Sequence, residues 1–247
     1  MSYFTHAEDS ASPFFKVQGW VNKQMPHVLD FSVQMMAHFG VSVGSVGEIG
    51  VHHGRFFLCL EQHAGEGCYR DAFDVFEDQF RNLDGSGNGS LQRFLENVAS
   101  YAKNPTQVRA FKVDSVDLRA GCTQYTNDAK YSLFSIDGCH TALHTCNDLM
   151  FAESALLPGG IVIVDDISNM SWMGVFEGVC RYLSSPYPRL APFGVGLNKL
   201  LLAPIGDQER YFEYFMERRS SLNTVTPFTG GPVITTLAGS KVVRYSY

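Results

Sequence analysis

Three carboxylates follow two apolar stretches in the middle of the chain, and together they could bind a metal ion. Asp137 follows residues 131–136, and the pair Asp165-Asp166 follows residues 161–164. If both stretches are neighbouring strands of a parallel sheet, the three side chains meet at one edge of it. Unpaired carboxylates so close together would raise each other's pKa, and a divalent cation such as Mg²⁺ relieves that repulsion. We therefore predict Asp137, Asp165 and Asp166 as metal ligands, the alternative being that an aspartate of the pair only caps the following helix.

His140 lies three residues after Asp137 and is the candidate general base. An imidazole at this offset could take a proton from a substrate hydroxyl whose pKa a bound metal has lowered. A purely structural histidine remains the alternative.

A glycine-containing turn over residues 46–54 (VGEIGVHHG) leaves one predicted strand and opens a helix. Gly50 and Gly54 would let the backbone approach a ligand and adopt positive φ angles. Glu48, near the strand end, could bind a ligand ammonium group directly or through water. The spacing is E-x-G-x-x-x-G and not G-x-G-x-x-G, so the dinucleotide fingerprint is not matched. A plain strand-to-helix turn is the alternative.

Residues 72–77 (AFDVFE) place a second acidic group at a strand end. The carboxylate of Asp74 could accept hydrogen bonds from both hydroxyls of a ribose, and Glu77 is the alternative candidate. The polar, glycine-rich loop 84–89 (DGSGNG) that follows is predicted to be a flexible turn.

Strands alternate with helices along the chain. The predicted strands cover residues 45–50, 69–76, 108–113, 131–136, 161–164, 199–203 and 241–245. The predicted helices cover residues 21–39, 56–63, 90–101, 143–155, 173–183 and 209–218. This order predicts an α/β fold with a doubly wound, Rossmann-like, mostly parallel sheet of about seven strands and helices on both faces. We expect an N-terminal helical cap over residues 1–40 and a single compact domain over residues 41–247.

The composition limits the classes of protein to which the chain can belong. It has 247 residues, of which 45% are hydrophobic and 18% charged, and this is typical of a globular domain. The net charge of −6 argues against a nucleic-acid partner. The six cysteines include no C-x-x-C pair, and no apolar run reaches the ~20 residues of a membrane span. Residues 1–12 do not resemble a signal peptide, so we expect no membrane partner and a cytoplasmic location.

These segments together resemble the class I S-adenosylmethionine-dependent methyltransferases, in particular the group that acts on small molecules. The pieces that carry the resemblance are E-I-G-V-x-x-G, D-x-F-E, I-D-G-x-H and L-x-P-G-G-x-I-V-x-D-D. They occur in that order within residues 46–166, and the chain has V-I in place of I-V in the fourth. Asn198-Lys199 also resembles this group, whereas His52 stands within the glycine turn where many methyltransferases have a smaller residue.

The resemblance implies S-adenosylmethionine as the cofactor and assigns residues to each part of it. Glu48, Gly50 and Gly54 would line its methionine end, and Asp74 would hold the ribose. Asp114 or Ser115 would lie near the adenine, and Asp137 would contact both cofactor and metal. The metal site resembles that of catechol and macrolide-sugar O-methyltransferases, with ligands at Asp137, Asp165 and Asp166 and the base at His140.

The implied activity is methyl transfer to a hydroxyl of a small-molecule substrate with the help of a divalent metal, for which we expect Mg²⁺. Cephalosporin hydroxylase-like proteins share the metal pattern, so a metal-dependent hydroxylase-type protein on the same fold is one alternative. A catalytically silent cofactor-binding module is another. The sequence leaves open whether the protein forms a homo-oligomer.

Overall fold

The computed structural model describes residues 12–126, 130–219, 222 and 233–245, and these form one nine-stranded sheet covered by helices. The strands are β1 (Ser45–Ile49), β2 (Arg70–Asp74), β3 (Val108–Lys112), β4 (Tyr131–Ile136), β5 (Leu156–Val164), β6 (Leu190–Gly196), β7 (Lys199–Pro204), β8 (Ile234–Leu237) and β9 (Ser240–Arg244).

Eight α-helices occur in the described part of the chain. They are α1 (Pro13–Lys16), α2 (Met25–His38), α3 (Phe57–Leu60), α4 (Leu91–Tyr101), α5 (Thr123–Thr126), α6 (Ala142–Ala155), α7 (Met173–Leu183) and α8 (Ile205–Arg218). No helix within the described residues combines the length and the apolar character that crossing a bilayer requires.

The strand order is β3-β2-β1-β4-β5-β7-β6-β9-β8. The pairs among β1 to β5 are parallel, β7 is antiparallel to both β5 and β6, and β8 is antiparallel to β9. The doubly wound, mostly parallel sheet expected from the sequence is therefore confirmed, with two more strands than the seven predicted.

The two additional strands are β6 and β8. The β6 sequence (LAPFGVG) contains one proline and two glycines, residues that weaken a strand pattern. The sheet nevertheless includes it, because β7 pairs along its length and β9 pairs with it on the other side. β8 has only four residues and lies at the edge of the sheet.

Helices pack on both faces of the sheet, as predicted. Successive side chains of a strand point to opposite faces. Ile161 and Ile163 of β5 accordingly join a hydrophobic cluster with α2, α3 and α8, whereas Val162 and Val164 join a cluster with α6 and α7. The strand is buried on both sides, which accounts for its continuous apolar sequence.

The predicted cap over residues 1–40 is only partly described, because residues 1–11 lie outside the described part. Helix α2 contributes Leu29, Met35 and Met36 to the same cluster as β5 and α8, and all three side chains are fully buried. A division of the chain at residue 40 stays a prediction.

The carboxyl ends of β1, β4 and β5 are joined by hydrogen bonds beyond the strands themselves. The N–H of Asp137 donates to Ile49 O over 2.9 Å, and the N–H of Asp165 donates to Ile136 O over 2.9 Å. The residues that follow these strands are therefore held side by side at one edge of the sheet.

Candidate active site

A cavity of about 810 Å³ lies at the carboxyl edge of the sheet. Its size suits a small-molecule or cofactor site. The loops that follow β1 to β5 and the turn between β6 and β7 contribute to its walls. The residues predicted from the sequence that line it are Gly50, Asp74, Asp114, Ser115, Asp137, His140, Asp165 and Asp166.

Gly50 is required by the close approach of two chain segments. Its φ angle is +86°, and a Cβ atom there would lie 1.7 Å from the carbonyl oxygen of Asp137. Any other residue would separate the loops after β1 and β4, which together form this end of the cavity.

Two predicted cofactor residues, Glu48 and Gly54, lie behind the cavity wall. Glu48 is 1% exposed and accepts a hydrogen bond from the Ser135 hydroxyl over 3.3 Å. Burial raises the pKa of its carboxyl group well above the ordinary value. Gly54, with a φ angle of +92°, packs against Phe94. Their contact with the methionine end of a cofactor stays a prediction.

Asp74 lines the cavity at the end of β2, whereas Glu77 lies outside it. The backbone N–H of His52 donates to Asp74 Oδ2 over 2.7 Å, and that of Phe76 donates to Oδ1 over 2.6 Å. Burial raises the pKa of Asp74 to about 6, although both N–H groups favour the charged form. Glu77 is half-exposed and pairs with Lys112. Asp74 also ties the turn after β1 to the turn after β2.

Asp114 and Ser115 follow β3 at another part of the cavity wall. Asp114 Oδ1 accepts from the backbone N–H of Val116 over 3.2 Å and lies 3.5 Å from His144 Nε2. His144, near the start of α6, also lines the cavity, and the sequence did not indicate it.

Asp137, His140 and Asp166 form the group in the described residues that could hold a metal ion. One ligand atom from each lies within 4.8 Å of the others. His140 Nε2 is 3.1 Å from Asp166 Oδ2 and 3.8 Å from Asp137 Oδ1. Two carboxylates and an imidazole suit a divalent cation.

Asp165, the third predicted ligand, is placed differently. Its carboxylate forms a buried ion pair with Lys199 Nζ, and its Oδ1 accepts from the backbone N–H of Asp166 over 2.8 Å. Lys199 itself is 2% exposed and lies above the ring of Phe56. The structure thus brings Asp137 and Asp166 together with His140, and directs Asp165 to Lys199.

The acidic groups set unusual charge states in this part of the cavity. Burial and the charge of Asp165 raise the pKa of Asp137 to about 7. Burial by itself would lower the pKa of His140, but the neighbouring carboxylates of Asp137 and Asp166 outweigh it and raise that pKa to about 10. The site concentrates negative charge that a cation can neutralise.

Sequence reasoning missed Asp84, which contacts His140 from the glycine-rich loop. Asp84 Oδ2 lies 2.6 Å from His140 Nδ1 and accepts from the His140 backbone N–H over 2.6 Å. Trp172 stacks on the same imidazole with a centroid separation of 4.5 Å. The D-G-S-G pattern indicates a turn, and nothing in it signals a partner 56 residues away.

Residues 48–167 match the family model described as "Methyltransferase domain". The match begins at Glu48 and includes all the loops that carry the acidic groups of the cavity. This segment is a methyltransferase domain. The enzyme class expected from the sequence, an S-adenosylmethionine-dependent methyltransferase, is thereby confirmed.

Solved structures share the fold of the methyltransferase domain at low sequence identity. The O-methyltransferase NovP matches with a TM-score of 0.55 and 16% identity over 74% of this chain and 80% of its own. CalS11, a TDP-rhamnose 3'-O-methyltransferase, matches with a TM-score of 0.52 and 18% identity over 74% of this chain and 79% of its own. An O-methyltransferase from Bacillus cereus, solved in complex with S-adenosylhomocysteine (SAH), matches with a TM-score of 0.50 and 15% identity over 76% of this chain and 84% of its own. No curated protein matches the sequence significantly.

Proposed function

We propose that the protein transfers a methyl group from S-adenosylmethionine to a hydroxyl of a small molecule, with the help of a divalent cation. The observation that carries this proposal is the group Asp137, His140 and Asp166 in the wall of the cavity. NovP, CalS11 and the Bacillus cereus protein, which share the fold, are described as O-methyltransferases.

The charge of the cavity supports a cationic cofactor. Five aspartates line it: Asp74, Asp114, Asp137, Asp165 and Asp166. A sulfonium and an ammonium group would both be attracted to such a wall. In this proposal Asp74 accepts from the ribose hydroxyls, Asp114 and Ser115 lie at the adenine, and the Gly50 backbone approaches the methionine end above Glu48.

Asp137 and Asp166 would hold the cation, with Asp165 of the predicted ligand set engaged by Lys199. A bound divalent cation lowers the pKa of a hydroxyl and orients its oxygen. An imidazolium at His140 and a divalent cation neutralise the same carboxylates, so they are alternatives at this position. Neutral His140 would take the hydroxyl proton on Nε2.

The proposed reaction is a direct transfer of the methyl group from the sulfur of the cofactor to the substrate oxygen. The substrate O–H bond breaks and its proton goes to His140 Nε2. The oxygen would form a bond to the methyl carbon of S-adenosylmethionine while the carbon–sulfur bond breaks, and S-adenosylhomocysteine would be the product. Most of the acceleration would come from holding oxygen and methyl group close together and in line.

The first test combines calorimetry with an assay of methyl transfer. We expect binding of S-adenosylmethionine and S-adenosylhomocysteine but not of NAD, and transfer to members of a panel of catechols, phenols and sugar alcohols. A chelator should abolish transfer and leave most cofactor affinity intact. Asp166→Asn should lose Mg²⁺ binding and transfer together, whereas Asp78→Asn, on an exposed ion pair with Lys112, should lose neither.

Two outcomes would contradict parts of the proposal separately. Undiminished transfer with excess chelator and no metal retained would remove the cation from the mechanism but keep the methyltransferase. Cofactor binding without transfer to any member of the panel would favour the silent cofactor-binding module.

A further inference from the structure

We propose that Asp84 is the positioning residue for His140: it fixes the ring so that Nε2 faces Asp137 and Asp166. The catalytic consequence rests on the proposed function, whereas the orientation of the ring does not. Either role of His140, as a general base or as a metal ligand, requires the lone pair of Nε2 on this side of the ring.

Two hydrogen bonds join Asp84 to His140 at different points. Asp84 Oδ2 accepts from the backbone N–H of His140 and lies 2.6 Å from Nδ1 of its ring. The side chains are 8% and 10% exposed, so water competes little for these bonds. Because the same oxygen contacts the backbone and the ring, the ring is held relative to its own main chain.

The glycine-rich loop holds Asp84 in turn. The backbone N–H of Ser86 donates to Asp84 Oδ1 over 2.7 Å, so both carboxylate oxygens are used. The side-chain amide of Asn82 donates to the carbonyl oxygen of Ser86 and to Gln79 Oε1. The first of these bonds lies within the loop, and the bond from Asn82 to Ser86 ties the loop to the segment that precedes it.

Trp172 restricts the remaining freedom of the imidazole. Its indole lies nearly parallel to the ring, with 15° between the planes. Stacking fixes the plane of the ring. Nδ1 points to the loop, where it lies 2.6 Å from Asp84 Oδ2 and 3.3 Å from Ser86 Oγ, and the contact with Asp84 is the shorter one. Nε2 is thereby left 3.1 Å from Asp166 Oδ2.

The bond to Asp84 also selects a tautomer. In a neutral imidazole one nitrogen carries the proton and the other is the acceptor. A carboxylate accepts but does not donate, so Asp84 keeps the proton on Nδ1 and leaves the lone pair on Nε2. An asparagine could instead donate its amide N–H to Nδ1 and favour the proton on Nε2. A partner of this kind behind a metal-site histidine is typically worth 10–100-fold in affinity or activity.

Crystal structures with S-adenosylhomocysteine and Mg²⁺ test the orientation without an acceptor. We expect the His140 ring of Asp84→Ala to rotate, so that Nε2 no longer faces Asp166, while Asp84→Glu keeps the wild-type orientation. An unchanged ring in Asp84→Ala would overturn the proposal. This test does not depend on methyl transfer, so it stands if the proposed function fails.

A double-mutant cycle tests the catalytic consequence on an acceptor found with the panel. Asp84→Asn should lower kcat by about 10–100-fold, with S-adenosylhomocysteine affinity and thermal stability close to wild type. In the His140→Ala background the same substitution should cost little further, because the ring that Asp84 orients is gone. Equal losses in both backgrounds would overturn the positioning role. Asp78→Asn, in the segment that precedes Asp84, is the matched control and should leave kcat unchanged.

Discussion

The carboxyl groups of Asp84 and Asp137 lie on opposite sides of the His140 imidazole, and their pKa values are shifted in opposite directions. Burial disfavours the charge of Asp84, but hydrogen bonds from Ser86 and His140 outweigh it and lower its pKa to about 2. Asp137 lies beside other carboxylates, and its pKa rises to about 7. At the residue scale, the hydrogen-bond donors and charges around each side chain therefore decide which of the two aspartates more readily carries a negative charge.

A first prediction at this scale concerns cofactor binding by Asp74. Asp74→Ala should weaken binding of S-adenosylhomocysteine by about 1–3 kcal/mol, since the ribose hydroxyls lose their acceptor. Calorimetry measures the change. The matched control is Glu77→Ala in the same turn, which removes a half-exposed carboxylate outside the cavity and should leave affinity unchanged. Equal affinities of wild type and Asp74→Ala would exclude Asp74 from the site.

At the scale of elements, the parallel ladder of β1, β4 and β5 accounts for the grouping of the acidic residues. Each strand places its next residue at the same edge, and the bonds from Asp137 to Ile49 and from Asp165 to Ile136 extend the ladder by one step. The functional side chains then lie on short loops that a rigid sheet supports. Helix α2, which the sequence analysis assigned to an N-terminal cap, packs into the hydrophobic cluster that covers β5.

A second prediction tests whether α2 is part of the folding unit. Leu29 is fully buried in the cluster that α2 shares with β5 and α8. Leu29→Ala should lower the free energy of unfolding by about 2–5 kcal/mol, because it removes buried methyl groups and leaves a cavity. Urea denaturation gives the value. Gln34→Ala, on the exposed side of the same helix, should stay within about 0.5 kcal/mol of wild type. A small loss for Leu29→Ala would instead support a separable cap.

At the scale of the whole molecule, the free energy of unfolding should depend on pH through Asp148. This aspartate of α6 is 0% exposed, and burial raises its pKa to about 7. The folded protein therefore binds its proton more tightly than the unfolded chain does. The stability that this gives is present in acid and is lost as pH rises through the folded pKa.

The third prediction concerns the replacement of Asp148 by a residue that does not titrate. Asp148→Asn should gain stability relative to wild type as pH increases between about 4 and 7, by up to about 4 kcal/mol at 1.36 kcal/mol per pKa unit. Urea denaturation at about pH 5 and about pH 8 measures the difference. Glu209→Gln, at an exposed position on the solvent side of α8, is the control for the removal of a carboxylate. A difference for Asp148→Asn that does not grow with pH would refute the prediction.

The sequence by itself determined the doubly wound sheet and eight of the residues that line its cavity. Apolar periodicity and glycine turns are local properties, and parallel strands bring their carboxyl ends together in any fold of this kind. Gly50, Asp74, Asp137, His140 and Asp166 could therefore be predicted before their neighbours were known.

Only the tertiary structure decided which partner each charged group has. Asp165 pairs with Lys199 of β7, Glu48 is buried against β4, and Asp84 binds His140 from a distant loop. It also decided that β6 joins the sheet despite its proline and glycines, because the neighbouring strands supply its hydrogen bonds. These contacts join residues far apart in the chain, and their geometry depends on how loops pack after the sheet has formed. Local sequence patterns carry no record of that packing.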